Sequence, residues 1–245
     1  MKHKFLILTI TLLSSITFAQ TQIISMNTND IDTKNIKEGL IDYVVYSEDS
    51  LGKIINLTTW KHETRIYDLD GEKVIESIKY MNNKRGDQLL YSLSLSQYKD
   101  LKPLYHYKKS RNGRIEAYDF HDDYIKGSDS ILNNAVSNLK VDLKAPTFNW
   151  VLDNEVFSSL EYTIGKVFKI NFYGPGARGV AQYYDYKVIG EEVISIGSNK
   201  NRACWKLEID YGDENNCIWW IDKNTKQAHK MVETWGGVKR YKIKL

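Results

Sequence analysis

Apolar and polar residues alternate along most of the chain after residue 40. A period of two is the pattern of a half-buried β-strand, because successive side chains of a strand point to opposite faces of the sheet. The clearest run covers residues 89–96, where Leu and Tyr alternate with Ser. Similar runs cover residues 168–172, 203–211 and 240–245. The pattern therefore predicts strands that each have one wet face.

Turn-forming residues recur about every ten residues between these runs. Asp70-Gly71 and Asn112-Gly113 are dipeptides that accept the positive φ angles of a type I′ hairpin turn. No helical pattern separates the strands, which favours an antiparallel meander of roughly ten to twelve strands. A flat sheet of that size would expose long edges, so it must curl. The predicted fold is mainly β, an antiparallel meander curled into an open or nearly closed barrel.

One short helix is predicted inside this β-rich chain. Residues 128–149 have no alternation and predict a long loop across the domain. After the loop, Asp153 can cap a helix that places Val156, Phe157 and Leu160 on one side. We expect this helix to cover or plug the sheet.

The N-terminal residues have the organisation of a secretory signal peptide. A short basic start precedes an uncharged, mainly apolar run at residues 5–16, and the polar Gln20 follows Ala19. The apolar run is shorter than the roughly 20 residues that span a membrane. Cleavage is therefore predicted near Ala19/Gln20, which releases residues 1–19. The product would be an exported, soluble protein of the periplasm or the extracellular space.

The rest of the chain is predicted to hold a polar leader and one domain. Residues 20–39 are irregular and rich in Asn and Asp, so we interpret them as the leader. No linker interrupts residues 40–245, which are predicted to form a single β-rich domain. No segment after the signal peptide is long and apolar enough to predict a transmembrane helix.

The net charge argues against a nucleic-acid partner. The chain has 34 Lys+Arg and 31 Asp+Glu, a net charge of +3, and loss of residues 1–19 leaves +1. A nucleic-acid-binding protein neutralises many phosphates and needs a strong positive field. Nucleic acid is therefore not a predicted partner, and the predicted partners are a hydrophobic small molecule or an envelope protein.

Two cysteines, Cys204 and Cys217, raise the hypothesis of a disulfide, which an oxidising compartment favours. The turn predicted at residues 212–215 argues against it, because it places Cys217 opposite Asp210. Cys204 would then lie roughly 20 Å away at the rise of a strand. A bridge needs Cα atoms within about 7 Å, so the disulfide requires a different strand register.

The sequence offers little catalytic chemistry. It contains no Gly-x-Ser-x-Gly or His-Glu-x-x-His motif, and its His residues lie on separate predicted strands and turns. Adjacent acidic pairs such as Asp122-Asp123 and Glu191-Glu192 lie at predicted turns. General acid catalysis needs a carboxyl held in a partly apolar cleft. We therefore predict no catalytic residue, no metal site and no cofactor, and a protein that is not an enzyme.

The last alternating run carries a basic face. Lys239, Arg240, Lys242 and Lys244 lie within a few residues of the C-terminus. Charged side chains protect the open edge of a sheet from unwanted pairing. We interpret this run as an edge strand.

The aromatic content is the remaining functional signal. The chain has 17 Tyr, 6 Trp and 7 Phe, and several lie on or near alternating apolar faces. Such residues pack ordinary sheet cores, but on a concave sheet under a helix they can also line a pocket for an acyl chain. The candidate lining residues are Trp60, Tyr91, Phe172, Tyr184, Trp205 and Trp219.

Several stretches resemble a known family. They read LKPLYHYKKSRNGRIEAYDF from Leu101, FNWVLDNEVFSSLEYTIGKVFKINFYGPG from Phe148, ACWKLEID from Ala203 and WWIDKNTKQAHKM from Trp219. Together they resemble a family of exported bacterial β-rich proteins catalogued as a domain of unknown function, over about residues 40–245. The pattern is also similar, at the level of fold, to the lipoprotein-localisation superfamily, whose half-open barrel binds the acyl groups of lipoproteins. The resemblance implies no catalytic residues.

Three functions follow as hypotheses. The first is a non-enzymatic protein that binds a lipid, acyl chain or envelope partner in an open barrel, and it predicts an internal cavity with aromatic walls. The second is an envelope assembly or surface interaction protein with a packed core and an exposed apolar patch. The third is carbohydrate binding or processing, which predicts a cleft with paired carboxylates near aromatics.

Overall fold

The computed structural model describes residues 20–26, 30–176, 180–197 and 200–245. Within these ranges one sheet of sixteen strands accompanies one short α-helix. The strands are β1 (Thr21–Ile24), β2 (Gly39–Glu48), β3 (Ile54–Leu69), β4 (Glu72–Asn83), β5 (Gln88–Gln97), β6 (Pro103–Ser110), β7 (Ile115–Phe120), β8 (Tyr124–Gly127), β9 (Lys140–Asp142), β10 (Phe148–Asn149), β11 (Val167–Tyr173), β12 (Gln182–Ser195), β13 (Asn201–Gly212), β14 (Asn215–Asp222), β15 (Ala228–Trp235) and β16 (Val238–Lys244). The helix is α1 (Asp153–Ser158), and 3₁₀ turns cover Thr33–Asn35 and Trp150–Leu152.

The sheet consists of two meanders that meet in its middle. Strands β2 to β9 pair in chain order, and so do β11 to β16. The last strand, β16, then pairs with β2, which joins the two meanders. Strands β1 and β10 both pair parallel to β11, at one edge, and β9 forms the other edge. The sheet curls without closing, which confirms the predicted mainly β, antiparallel and open architecture.

There are more strands than the sequence predicts because several are too short to show a period. β1, β9 and β10 contain 4, 3 and 2 residues. The longer strands and their turns agree better with the prediction. Asp70 and Gly71, with φ angles of 50° and 84°, close the hairpin between β3 and β4. Positive φ at both positions is the geometry that the Asp-Gly dipeptide predicts.

Residues 148–160, which we call the plug segment, pack on one face of the curled sheet. We call that face the inner face. The predicted helix is confirmed, with Val156, Phe157 and Leu160 all at most 1% exposed. Asp153 is the first helical residue rather than the cap. The capping side chain is that of Asn149, which accepts a hydrogen bond from the Val151 amide and so fixes the preceding 3₁₀ turn.

Strand β5 presents its polar residues to the inside. Ser92, Ser94 and Ser96 are 4%, 0% and 0% exposed, whereas Leu93 and Leu95 on the outer face are only half-buried. The period of two is confirmed, but the wet face is the leucine face. The serines can be buried because the plug segment supplies polar partners, such as the Asn149 amide that donates to Ser94 Oγ at 3.2 Å.

The interpretation of the C-terminal run as an edge strand is wrong. β16 lies between β15 and β2 and is hydrogen-bonded on both sides. Lys242 points to the inner face and is 4% exposed, while Tyr241 lies on the outer face. The pairing with β2 joins residues about 200 positions apart in sequence, which no local pattern reveals.

Part of the predicted leader belongs to the sheet. β1 pairs with β11, and Ile24 is 2% exposed in the main core. Ile36 is 6% exposed in the same core. Residues 1–19, on which the signal-peptide prediction falls, lie outside the described residues.

The two cysteines are free and buried in the structure. Cys217 pairs with Ile209 across the β13–β14 hairpin, one position from the predicted register, and Cys204 pairs with Asp222. Asp222, the β14 partner of Cys204, lies five residues from Cys217 along the same strand. This separation is about 17 Å at the rise of a strand. The hypothesis of a disulfide is therefore corrected: Cys204 and Cys217 are two separate thiols, because the strand register keeps them beyond bridging distance.

Candidate functional site

The plug segment leaves two cavities between itself and the inner face. The first has a volume of about 310 Å³. Strands β3 to β6 supply most of its walls, with both apolar and polar side chains. The first residues of the plug segment complete them. The walls include Trp60, Met81, Leu90, Lys79, Ser92, His106, Trp150 and Pro175.

The second cavity has a volume of about 250 Å³ and lies under the β12–β16 half of the sheet. Most of its lining residues are aromatic or aliphatic, and five are charged: Lys79, Asp153, Glu233, Arg240 and Lys242. The aromatic and aliphatic ones include Phe157, Tyr186, Ile209, Trp219 and Met231. Small-molecule sites have volumes of roughly 300–1,000 Å³, so the first cavity lies at the lower limit of this range and the second just below it.

Both cavities share the side chains of Trp60, Lys79 and Trp150. They therefore lie next to each other, on either side of these residues. Trp150 is fixed by its neighbours, because its ring packs edge-on against Tyr184 with centroids 4.5 Å apart and lies 5.5 Å from the Phe172 ring. Lys79 donates to the Val151 carbonyl, which ties β4 to the plug segment.

A layer of buried polar groups supports the first cavity. His106 is 1% exposed, and its Nδ1 lies 2.8 Å from Ser94 Oγ. Burial lowers the pKa of His106 to about 3, and the charges of Lys108 and Lys79 act in the same direction. The imidazole is therefore neutral at pH 7.

His62, Ser77 and Glu155 form a buried cluster that has the composition of a catalytic triad. The geometry differs from a triad, because Ser77 Oγ at 2.8 Å and Glu155 Oε1 at 2.7 Å both contact the same His62 nitrogen, Nε2. The Glu155 carboxylate can only accept a hydrogen bond, so Nε2 carries the proton and donates to it, while the side-chain amide of Asn154 lies 3.0 Å from Nδ1. A triad needs the acid on one ring nitrogen and the nucleophile on the other. His62 in this tautomer cannot take a proton from Ser77.

The acidic groups of the plug segment are also occupied. Asp153 Oδ1 lies 3.5 Å from Lys79 Nζ and accepts a hydrogen bond from the backbone N–H of Asn154 at 2.8 Å. The hydrogen bond from His62 and the charge of Lys79 hold the pKa of Glu155 at about 2, against the effect of its burial. Each carboxylate has its own partner, which is not the arrangement of two carboxyls that flank a glycosidic bond.

Lys242 occupies a different environment from the other cations. Its ammonium lies 4.5 Å from the ring centroid of Tyr43, 5.3 Å from that of Trp219 and 5.6 Å from that of Trp60. Among the described residues, no carboxylate oxygen lies within 4.0 Å of Lys242 Nζ. Burial lowers the pKa of Lys242 to about 8, and the charge of Asp153 offsets part of this shift. The group therefore remains mostly protonated at neutral pH.

The structure brings some of the candidate aromatic residues to the cavities. Trp60 lines both and Trp219 lines the second. Phe172 and Tyr184 form the packing behind Trp150.

The other two candidates lie away from the cavities. Trp205 stacks on Tyr162 with centroids 6.3 Å apart, and Lys223 covers its ring. Tyr91 lies on the outer face of β5, where it packs against Tyr80 and Tyr107. The alternation identifies a face but not which face is inside, and β5 has its apolar face outside.

Sequence reasoning missed Trp150, Lys79 and Lys242 as cavity residues. Trp150 lies in a 3₁₀ turn and belongs to no alternating run. Both lysines occupy strand positions where a polar residue predicts the solvent side. The one available signal for Lys242 is its place between Tyr241 and Ile243, in a strand whose two faces are both partly covered.

Exposed apolar residues gather near the turn between β2 and β3. Leu51 is 90% exposed, Ile54 56% and Ile55 47%. An exposed patch is the feature that the hypothesis of an interaction protein predicts, whereas the cavities agree with the hypothesis of a ligand-binding protein. No helix in the described ranges is long and apolar enough to cross a membrane. The same ranges contain no cluster of three or more metal-ligating side chains.

A family described as "protein of unknown function (DUF3108)" matches residues 54–244, from the start of β3 to the end of β16. The chain belongs to the DUF3108 family. This confirms the resemblance to a family of unknown function that the sequence motifs indicate. The DUF3108 match includes the whole plug segment and every residue that lines the two cavities. No curated protein matches the chain.

Three solved structures resemble this DUF3108 protein weakly. One, from Bacteroides fragilis, is thought to be exported and has a YmcC-like fold, with 6% identity over 85% of this chain and 94% of its own, at a TM-score of 0.34. A DUF1329 family protein from Desulfovibrio piger has 11% identity over 86% of both chains, at a TM-score of 0.34. A protein from Parabacteroides distasonis thought to be a lipoprotein has 10% identity over 89% of this chain and 98% of its own, at 0.35. These TM-scores are too low to establish a shared function.

Proposed function

We propose that this DUF3108 protein is exported and binds a single-chain apolar ligand, such as an acyl chain, in the two cavities under the plug segment. The observation that carries the proposal is the pair of adjacent cavities that share Trp60 and Trp150. Aromatic and aliphatic side chains dominate the second cavity, and burial of an acyl chain against them gains about 25 cal/mol per Å². The small volume suits one chain rather than a two-chain lipid.

The proposal assigns no reaction to the bound ligand. His62 is the buried imidazole closest to a serine and an acid, and its protonated Nε2 cannot serve as a base toward Ser77. Ser77 is itself 0% exposed and does not line either cavity. A bound chain would therefore meet walls that hold it and no activated nucleophile.

Contact with an envelope protein is the second candidate function, and the exposed Leu51, Ile54 and Ile55 favour it. It is compatible with the first, because these residues do not line the two cavities. The cavities carry the primary proposal because their shape and lining define the chemistry of the ligand, whereas the patch defines only that a partner would be apolar.

The test is binding of a fluorescent fatty acid, cis-parinaric acid, to the protein purified without detergent. Native mass spectrometry of the same sample, followed by lipid extraction, identifies any ligand that copurifies. We expect saturable binding, and we expect Trp60→Leu to weaken it about tenfold through loss of apolar contact.

Tyr91→Leu is the matched control, because it removes an aromatic ring of the same sheet from the outer face. This variant should bind like the wild type. Absence of uptake by the wild-type protein, together with a ligand-free native mass, would contradict the binding function. Equal losses in both variants would place the binding outside the cavities.

A further inference from the structure

Lys242 is a buried cation without an anionic partner. It is 4% exposed, and within the described residues its ammonium has no carboxylate within 4.0 Å. Buried charges in proteins are normally paired, because removal of an ion from water costs several kcal/mol. The rings of Tyr43, Trp60 and Trp219 compensate part of this cost through cation–π contact. The remainder would be offset by an anion.

The neighbouring acids do not serve as that anion. Asp153 is held by Lys79, and Glu155 by His62. Arg240 pairs with Glu233 at 2.8 Å. The acids close to Lys242 therefore already have cationic or hydrogen-bonding partners, and none of them forms an ion pair with the Lys242 ammonium.

Besides the three rings that its ammonium contacts, the side chain of Lys242 borders a cavity. Lys242 lines the second cavity together with Phe157, Tyr186 and Met231. Arg240, two residues earlier on the same face of β16, lines the same cavity. The Nε of Arg240 is buried and has no hydrogen-bond partner. Lys242 thus brings a charge without a carboxylate partner among the described residues to a cavity that the paired acids Asp153 and Glu233 also line.

We infer that the second cavity binds the carboxylate of a single-chain carboxylic acid, with Lys242 as the donor and the chain held between Trp60 and Trp150. This inference rests on the proposed function and specifies the class of ligand. A neutral ligand of the same length fills the same space but leaves the ammonium uncompensated. The site therefore discriminates by charge as well as by shape.

The experiment compares cis-parinaric acid with its methyl ester, which has the same chain and no charge. The wild-type protein should bind the acid roughly 10- to 100-fold more tightly, which corresponds to one or two charge-assisted hydrogen bonds. Lys242→Met keeps the length of the side chain and removes the charge. It should bring the ratio of the two affinities close to one.

Two further variants keep the result interpretable. Lys242→Arg retains the charge and should retain the preference for the acid. Lys239→Met removes an exposed lysine from the outer face of the same strand and should leave the ratio as in the wild type. Circular dichroism of each variant establishes that it is folded.

Different outcomes separate the two proposals. Equal binding of acid and ester by the wild type, or a preference for the acid that survives in Lys242→Met, would overturn the carboxylate site and leave the binding function intact. Failure of the wild type to bind either probe would overturn both.

Discussion

Individual residues on the inner face carry polar groups into the interior, and each depends on a specific partner. His106 contacts Ser94, His62 contacts Glu155, and Lys79 contacts the plug segment. Such contacts contribute little net free energy while both partners are present, but loss of one partner leaves a buried polar group unpaired. The interior therefore consists of an apolar core and, beside it, a layer of hydrogen-bonded polar side chains.

Protonation of His106 is expected to make the protein less stable in acid. The unfolded chain takes up a proton below pH 6.5, whereas burial lowers the pKa of His106 in the folded protein to about 3. The contribution of neutral His106 is present above pH 6.5 and is lost as the pH falls toward 3, by up to about 1.4 kcal/mol per pH unit. Urea unfolding of the wild type and of His106→Gln between pH 7 and 4 measures this contribution to the free energy of unfolding.

The free energy of unfolding should shift in favour of His106→Gln by roughly 2 kcal/mol between pH 7 and pH 5. Subtraction of the two curves removes the contributions of other groups, including Glu116 and Glu155, whose pKa values are both lowered to about 2. His121→Gln, which removes an exposed imidazole, is the control variant. If the curves of unfolding free energy against pH were parallel for the wild type and His106→Gln, the pKa of His106 would be the same in the folded and the unfolded protein, which would contradict the prediction.

At the scale of elements, hairpins are determined locally and the plug segment is not. The β3–β4 hairpin follows from Asp70-Gly71 and from alternating residues on both sides. The plug has only six helical residues, which is too short for a stable isolated helix. Its conformation depends on burial of Phe157 against Tyr186 and Trp219, with ring centroids 5.2 Å and 5.4 Å away.

Gly71→Ala should lower the free energy of unfolding by about 1–2 kcal/mol, because alanine at a φ of 84° is strained. A Cβ at this position would meet no atom within 4 Å, so the cost is conformational rather than steric contact. Gly71→Asn provides the comparison, since Asn tolerates positive φ better. Denaturant unfolding should rank the wild type first, Asn second and Ala last. An alanine variant as stable as the wild type would contradict the type I′ turn.

At the scale of the whole molecule, the curled sheet is held together by pairings between distant parts of the chain. β16 joins the two meanders through β2, and β1 extends the opposite edge by pairing with β11. The core that the plug segment shares with the sheet includes Ile24 and Ile36. The segment before residue 40 is therefore part of the folded unit.

Ile24→Ala and Ile23→Ala test whether β1 contributes to the fold. Ile24 is 2% exposed and Ile23, its neighbour in the same strand, is 55% exposed. Truncation of the buried side chain should cost about 2–5 kcal/mol, and truncation of the exposed one less than about 1 kcal/mol. Thermal or denaturant unfolding of the two variants measures the difference. Equal, small effects would return residues 20–39 to the role of a leader outside the domain.

The strand periods, the tight turns and the one short helix can be predicted from the amino-acid sequence, because each follows from side-chain direction and backbone preference within a few residues. The sequence also indicated Trp60 and Trp219, which do lie at the cavities. Which face of each strand is inside depends on contacts between distant segments, since a period of two is equally compatible with either face. Ser94 is buried because Asn149 reaches it, and Lys242 is central because β2 pairs beside it. Those partners lie far away in sequence, so only the folded chain brings them together.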